Sequence, residues 1–194
     1  MNVFTHSAFA PVVLGFFGLG TGYLIYGPAE LFHFPRREPQ IDRSMGIWGI
    51  FLPGLCQLIT GIILFIGLTW FQVFTDKPLY MAALAFSAYG IHWFAIGWNR
   101  YQGNDPRPQA GMSIAFMIIS ALGIFVFFDA GGWPVGLLFV GLFVVYVGEF
   151  FVSIKRPFGD PLLGLAHLVT GLWLMYLTVS TTLNIASGFK LPGG

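Results

Sequence analysis

The stretch Met45–Phe71, MGIWGIFLPGLCQLITGIILFIGLTWF, runs for 27 residues without one charged side chain. A helix rises about 1.5 Å per residue, and the hydrocarbon core of a bilayer is roughly 30 Å thick, so about 20 apolar residues are needed to cross it. Span 2, residues 45–71, exceeds that length. Five more stretches are of spanning size, at 9–28, 79–98, 110–128, 133–152 and 161–186. No water reaches peptide groups inside a bilayer, so each stretch must close its hydrogen bonds as a helix. The expected fold is all-α. It is a polytopic membrane protein with six transmembrane helices around a central pathway, residues 1–194 forming one integral membrane domain.

Composition points the same way. Charged residues make up 9% of the chain and hydrophobic ones 56%, against roughly 25% charged in a soluble domain. The longest polar connectors are Ala29–Ser44 (AELFHFPRREPQIDRS) and Asn99–Gln109 (NRYQGNDPRPQ). Neither is long enough to fold by itself, so no catalytic module outside the membrane is expected. The single cysteine, Cys56, excludes an internal disulfide and a cysteine metal cluster. A net charge of +1 gives no electrostatic case for nucleic acid. No phosphate-binding loop, nucleotide fingerprint, Ser/His/Asp arrangement or paired metal-ligand spacing occurs, so the chain does not read as an enzyme, and no cofactor or metal is expected. The first basic residue, Arg36, lies beyond span 1, so the basic n-region of a signal peptide is not expected.

Connector charge gives an orientation. The connectors after spans 1, 3 and 5 carry Arg36, Arg37, Arg43, Arg100, Arg107, Lys155 and Arg156; the opposite side has Lys77 and Lys190. The excess of basic residues favours the cytoplasmic side, which puts both termini outside the inner (plasma) membrane. Trp70, Trp98, Tyr101 and Trp133 fall near span ends, where amphipathic rings sit at the headgroup level.

Glycine and proline shape the spans. Gly18 and Gly22 make a G-x-x-x-G pair in span 1. Small residues at that spacing either let two helices pack closely or let backbone line a narrow path. Pro53, in the middle of span 2, lacks an N–H and frees the carbonyl of Gly49 from its helical bond.

Two segments resemble a known family. Span 2 reads G46-I-W-G-I-F-L-P-G54-L-C-Q57-L-I-T-G61, and span 3 reads F86-S-A-Y89-G90-I-H-W93. Both are similar to stretches of the acetate uptake transporter family, which includes the bacterial succinate–acetate permease and fungal acetate and ammonia exporters. Span 1, with Ala8-Phe9-Ala10-Pro11-Val12-Val13 followed by Gly15-Phe16-Phe17-Gly18, keeps the Ala-Pro of that family's N-terminal motif and departs from the rest. Over spans 4–6 the likeness is one of helix count and hydrophobicity. The resemblance implies a protomer with its own pathway, assembled as a homo-oligomer, specifically a hexamer. It also implies cytoplasmic termini, opposite to the charge count. By motif it places a hydrophobic constriction at Phe17 and Tyr89, and a gap-free register from the end of span 4 puts its aliphatic third member near Val144. Apolar rings that close a pore dewet it and block ions until they move. Ordinary helix packing explains Phe17 and Tyr89 equally well.

No Lys or Arg lies within any span, so a dianion would find no fixed countercharge and its burial would be very costly. Thr21, Gln57, Ser87 and the Tyr89 hydroxyl can hydrogen-bond a small carboxylate. That inventory suits a monocarboxylate such as acetate, passing down its gradient or coupled to protons, through a permease or channel. His92 and Glu149 are candidate proton carriers, since intramembrane ionisable groups mark relays. Glu149 pairing with Lys155 or Arg156 is the plainer alternative, and Glu30 reads as an interfacial charge. Two readings of other classes stay open. One is a non-catalytic accessory subunit of a larger membrane complex. The other is a membrane cytochrome holding haem between His92 and His167.

Overall fold

The computed structural model describes residues 9–193; Ala8, at the start of the N-terminal motif quoted above, lies outside them. Seven α-helices follow one another: α1 (Val12–Leu31), α2 (Pro39–Gly49), α3 (Leu55–Thr69), α4 (Pro78–Gln102), α5 (Gln109–Asp129), α6 (Trp133–Ser153) and α7 (Gly159–Ser187). A π-helical turn, Ile50–Gly54, joins α2 to α3 without a break, so Pro39–Thr69 is one rod of 31 residues. This rod and the other five helices are the six spans long and apolar enough to cross a membrane. The protein is all-α and integral to a membrane.

The helix ends follow local chemistry. Pro39 and Pro78 stand at the first position of α2 and α4, where a missing N–H costs nothing. Gly103 and Gly188 close α4 and α7 in the left-handed conformation, at φ 69° and 70°. The second span starts six residues earlier than hydropathy alone indicates, because the polar turn from Pro39 to Ser44 continues the helix beyond the apolar stretch. Pro53 is absorbed by widening the helix: the Leu55 N–H reaches back five residues to the Ile50 carbonyl.

Glycine brings the rods together. A Cβ on Gly22 would lie 2.7 Å from Cγ of Pro53, and one turn earlier Gly18 abuts Cys56. The G-x-x-x-G pair is therefore a packing surface for the π turn. Gly90 of α4 lies against the backbone of Leu58 and Gly54, and Gly46 and Gly97 each approach the other's carbonyl where α2 crosses α4. Such contacts make helix association a matter of close backbone packing.

The spans form a closed ring. α1 packs on α7, α7 on α6, α6 on α5, α5 on α4, α4 on α3 and α3 on α1, with α4–α5 the thinnest seam. Their outer faces are apolar: Ile114, Ile118, Leu122 and Phe125 form an exposed stripe along α5, suited to lipid. Trp70, Trp98 and Trp133 are exposed near span ends, as interfacial rings should be. Large side chains, not backbone, fill the centre of the ring.

Two alanine substitutions separate these effects. Gly90→Ala forces a methyl into the Leu58 and Gly54 backbone and is expected to destabilise by about 1–3 kcal/mol. At Gly111 a Cβ meets nothing within 4 Å, so Gly111→Ala should stabilise α5 by about 0.5–1 kcal/mol. Equilibrium unfolding in mixed detergent micelles reads both.

Candidate functional site

The spans α1, α4 and α6 each present a stripe to the axis of the ring. On α1 it runs Val12, Phe16, Leu19, Tyr23, Tyr26 and Glu30, alternating steps of three and four as one helix face requires. The stripe changes character partway, from apolar to aromatic and then to acidic. Comparable stripes run along α4, from Leu79 through Phe86 and Tyr89 to Trp93, and along α6, from Leu138 through Leu142 and Tyr146 to Glu149.

Two cavities lie along this axis. A vestibule of about 840 Å³ opens at the end carrying the connectors after α1, α4 and α6, and Arg37, Arg43, Arg100, Lys155 and Arg156 line it. A chamber of about 180 Å³ lies toward the other end, walled by Val12, Phe16, Leu19, Phe86, Leu138 and Leu142 among others. Between them stands one closed layer. Leu19, Tyr23, Tyr89, Leu142, Tyr146 and Leu174 are all at most 2% exposed.

Hydrogen bonds fix the rings of that layer. Ser120 donates to the Phe116 carbonyl at 2.7 Å, which leaves the Tyr89 hydroxyl to donate to Ser120 at 2.9 Å. Tyr89 also stacks on Tyr146, with centroids 5.4 Å apart. On the vestibule side, His92 bridges two partners. Its Nδ1 lies 3.2 Å from the Tyr146 hydroxyl and its Nε2 3.3 Å from Glu149 Oε1. A second pair joins α1 to α7, with His167 Nδ1 2.6 Å from Glu30 Oε2. All four groups are buried, and all four line the floor of the vestibule. The Tyr23 ring packs on His167 at 4.4 Å, and the Trp93 ring lies 6.4 Å from both imidazoles, so one aromatic cluster connects the two dyads. Removing one member of such a buried pair strands the other, at a cost of about 3–5 kcal/mol.

Nearer the mouth, the Arg100 guanidinium lies 4.5 Å over the Tyr26 ring and 3.2 Å from Asp42. The Tyr26 hydroxyl donates to the Met45 carbonyl at 2.8 Å. Arg37 reaches Asp42 at 3.5 Å and Asp160 at 3.9 Å. Five basic side chains against the three carboxylates of Glu38, Asp42 and Asp160 leave the rim of the vestibule with an excess of positive charge, and two carboxylate–imidazole dyads lie at its floor.

The residues singled out from sequence divide accordingly. Tyr89 and Gln57 line the chamber, and His92 with Glu149 line the vestibule. Phe17 does not reach the axis: it is 45% exposed on the outer face, and its neighbour Phe16, 4% exposed, points inward. Val144 is likewise 39% exposed, and Val145 is buried. One residue turns a helix by about 100°, so a motif matched one position off changes faces. Thr21 donates back to the Phe17 carbonyl of its own helix at 2.8 Å, and Ser87 packs on Gly61 at the α3–α4 contact. Glu149 turns to His92 and not to Lys155 or Arg156, and Glu30 is not interfacial but buried against His167. Each of the two histidines turns to a carboxylate, His92 to Glu149 and His167 to Glu30.

Tyr23, Tyr146, Glu30 and His167 also line the vestibule, and no motif in the sequence marks them. On α1 a signal existed in the spacing of Leu19, Tyr23, Tyr26 and Glu30. Nothing in the chain announces that Glu30 meets a histidine 137 positions away.

Gln57 is the anomaly of the site. It is 0% exposed, and among the described residues neither Oε1 nor Nε2 has a hydrogen-bond partner. Burying an amide without partners costs about 2–7 kcal/mol, depending on the reference solvent.

No family model matches this chain, and no curated protein does. In three dimensions it is similar to the bacterial acetate channel SatP, with a TM-score of 0.76 over 96% of this chain and 99% of that one. The two sequences are 17% identical over that match, so the likeness is one of fold.

Proposed function

We propose that this protein is a membrane permease or channel for small monocarboxylates such as acetate, gated by a hydrophobic constriction and coupled to protons. The observation that carries the reading is the closed layer at Leu19, Tyr23, Tyr89, Leu142, Tyr146 and Leu174, which separates a cation-rimmed vestibule from an apolar chamber. The fold it shares with an acetate channel supports the same reading.

The steps follow from the charge order along the axis. Basic side chains at the rim raise the local concentration of anions. At the floor, the His92–Glu149 and His167–Glu30 pairs stand where an arriving carboxylate can exchange a proton with the protein. The neutral acid then has only apolar surface to cross, with little charge to desolvate. A dicarboxylate would have to shed two charges, and it meets no fixed cation beyond the vestibule. With the basic rim on the cytoplasmic side, the chamber faces outward.

Labelled acetate is expected to enter proteoliposomes faster than empty liposomes, and succinate to lag well behind. Thinning the closed layer with Leu142→Ala or Tyr89→Ala should raise acetate flux by about tenfold, since a constriction limits the rate. Flux no faster than in empty vesicles would instead favour an accessory subunit.

Proton coupling has a separate readout. A pH-sensitive dye inside the vesicles should report one proton entering with each acetate. In the double variant Glu30→Gln, Glu149→Gln, acceleration of uptake by an inward proton gradient should fall by about tenfold or more. Unchanged acceleration would remove the dyads from the mechanism.

A further inference from the structure

After α7 the chain turns back on itself. Gly188 takes the left-handed conformation at φ 70°, and the N–H groups of Gly188 and Phe189 bond to the Asn184 and Leu183 carbonyls. The segment Phe189–Gly193 then runs back beside the helix it has left, as a strap held by side chains of α7. The Asn184 amide donates to the Leu191 carbonyl at 2.7 Å and accepts from the Leu191 N–H at 2.8 Å, so one side chain clamps both polar groups of one residue. Tyr176 donates to the Pro192 carbonyl and Thr181 to the Gly193 carbonyl, each at 3.1 Å. Gly193 abuts two spans: a Cβ there would lie 2.6 Å from Leu177 Cδ2 and 3.1 Å from Pro134 Cβ. Asn184 and Leu177 stand two helical turns apart, about 10 Å, which is how far the strap reaches back.

That position is the end of the chamber away from the vestibule. α1, α4 and α6 begin there, and α5 and α7 end there. Val12, Leu79, Val135, Phe127 and Thr181 come from those helix ends and line the chamber together with Gly193. Leu177 and Thr181 are buried although they lie in the last turns of α7. The seat is itself ordered: Trp173 donates through Nε1 to the Pro134 carbonyl at 2.9 Å and stacks on the Tyr176 ring at 5.0 Å. What holds the strap down is a handful of side-chain hydrogen bonds, with no helical or sheet ladder behind them. Segments secured in this way open locally, at less cost than unfolding a span.

We propose that Phe189–Gly193 is an outer gate: docked, it closes the chamber on the side away from the vestibule, and released, it opens the chamber to solvent. The inference rests on the chamber being part of the pathway proposed above. With the leucine–tyrosine layer also closed, the chamber is occluded at both ends, and a solute meets two barriers in series. Relieving one barrier raises flux only until the other limits it. Release of the strap therefore shows most fully where the inner layer has already been thinned.

The test uses two variants that free the strap by different means. Gly193→Ala puts a methyl against Leu177 at a backbone φ of 91° and changes no helix, whereas Asn184→Ala removes the clamp. Lys190→Ala, exposed on the same strap, is the control. The first readout is labelling of Leu138→Cys, on the chamber wall and 4% exposed in the native chain, in a Cys56→Ser background. A small charged thiosulfonate, added to protein in micelles, should react slowly with the native strap and with Lys190→Ala. Either releasing variant should speed the reaction by about tenfold or more, because labelling tracks the fraction of time the strap is away. The second readout is acetate uptake in a Leu142→Ala background, which Gly193→Ala should raise by a further factor of about three to ten. Equal labelling in all strap variants overturns the inference, as does faster labelling with acetate flux unchanged by strap release. If labelling accelerates but no variant outpaces empty liposomes, the strap covers a chamber that is no pathway, and the gate falls together with the reading it rests on.

Discussion

A bilayer interior supplies no water, so every polar group buried there must find its partner inside the protein. Most of this structure follows from that constraint. The backbone meets it with helices, and the π turn at Ile50–Gly54 meets it where Pro53 would have broken the ladder. Hydroxyls of Thr21, Thr60, Thr69, Ser113 and Ser120 meet it by bonding to carbonyls one turn back. The ionisable groups meet it in pairs, His92 with Glu149 and His167 with Glu30. Among the described residues the Gln57 amide and the Ser153 hydroxyl are the buried exceptions within the spans, with no partner for their polar atoms.

Close packing by glycine is the second necessity. With lipid outside as apolar as the protein, the spans cannot be driven together by exclusion of water. Gly18, Gly22 and Gly90 let backbones meet, and these contacts set the rotation of each helix about its own axis. Rotation in turn decides which stripe looks inward. Gly18 and Gly22 lie on the face of α1 that meets the π turn, whereas Gly20 and Gly27 lie on the face that meets α7. The side chains between those two faces, from Phe16 through Leu19 and Tyr23 to Glu30, are left to line the axis.

That geometry explains what could be read from sequence and what could not. The spans were legible because apolar length is a one-dimensional property, and Met45–Phe71 displays it without interruption. The connector charges were legible too, and the basic residues after α1, α4 and α6 gather at one vestibule. The phase of each helix was not, because a span that meets lipid on one side and packed side chains on the other is apolar all round. Phe16 and Phe17 are identical residues one step apart, and hydrophobicity cannot say which of them turns inward. The glycine positions on α1 carried that information. The dyads were beyond reach for another reason: Glu30 with His167, and His92 with Glu149, are juxtaposed only once the ring has closed.

The closure also explains why the polar groups sit where they do along the axis. A charge buried on the apolar side would need its own partner there, and every side chain that could supply one would narrow a chamber of only about 180 Å³. On the vestibule side there is room for ion pairs, from Arg37 and Asp42 at the rim to Glu30 and His167 at the floor. Along the axis, the charged lining residues therefore all stand on the vestibule side, and the polar residues that line the chamber, Gln57, Tyr89 and Thr181, are neutral. On the proposed reading this asymmetry is what makes the protonation state of the solute decisive. A carboxylate is stabilised as far as the dyads, and past them only a species without net charge has an environment it can enter. Selection by charge is then made on one face of a layer of leucine and tyrosine side chains, and the apolar chamber on its other face receives what passes.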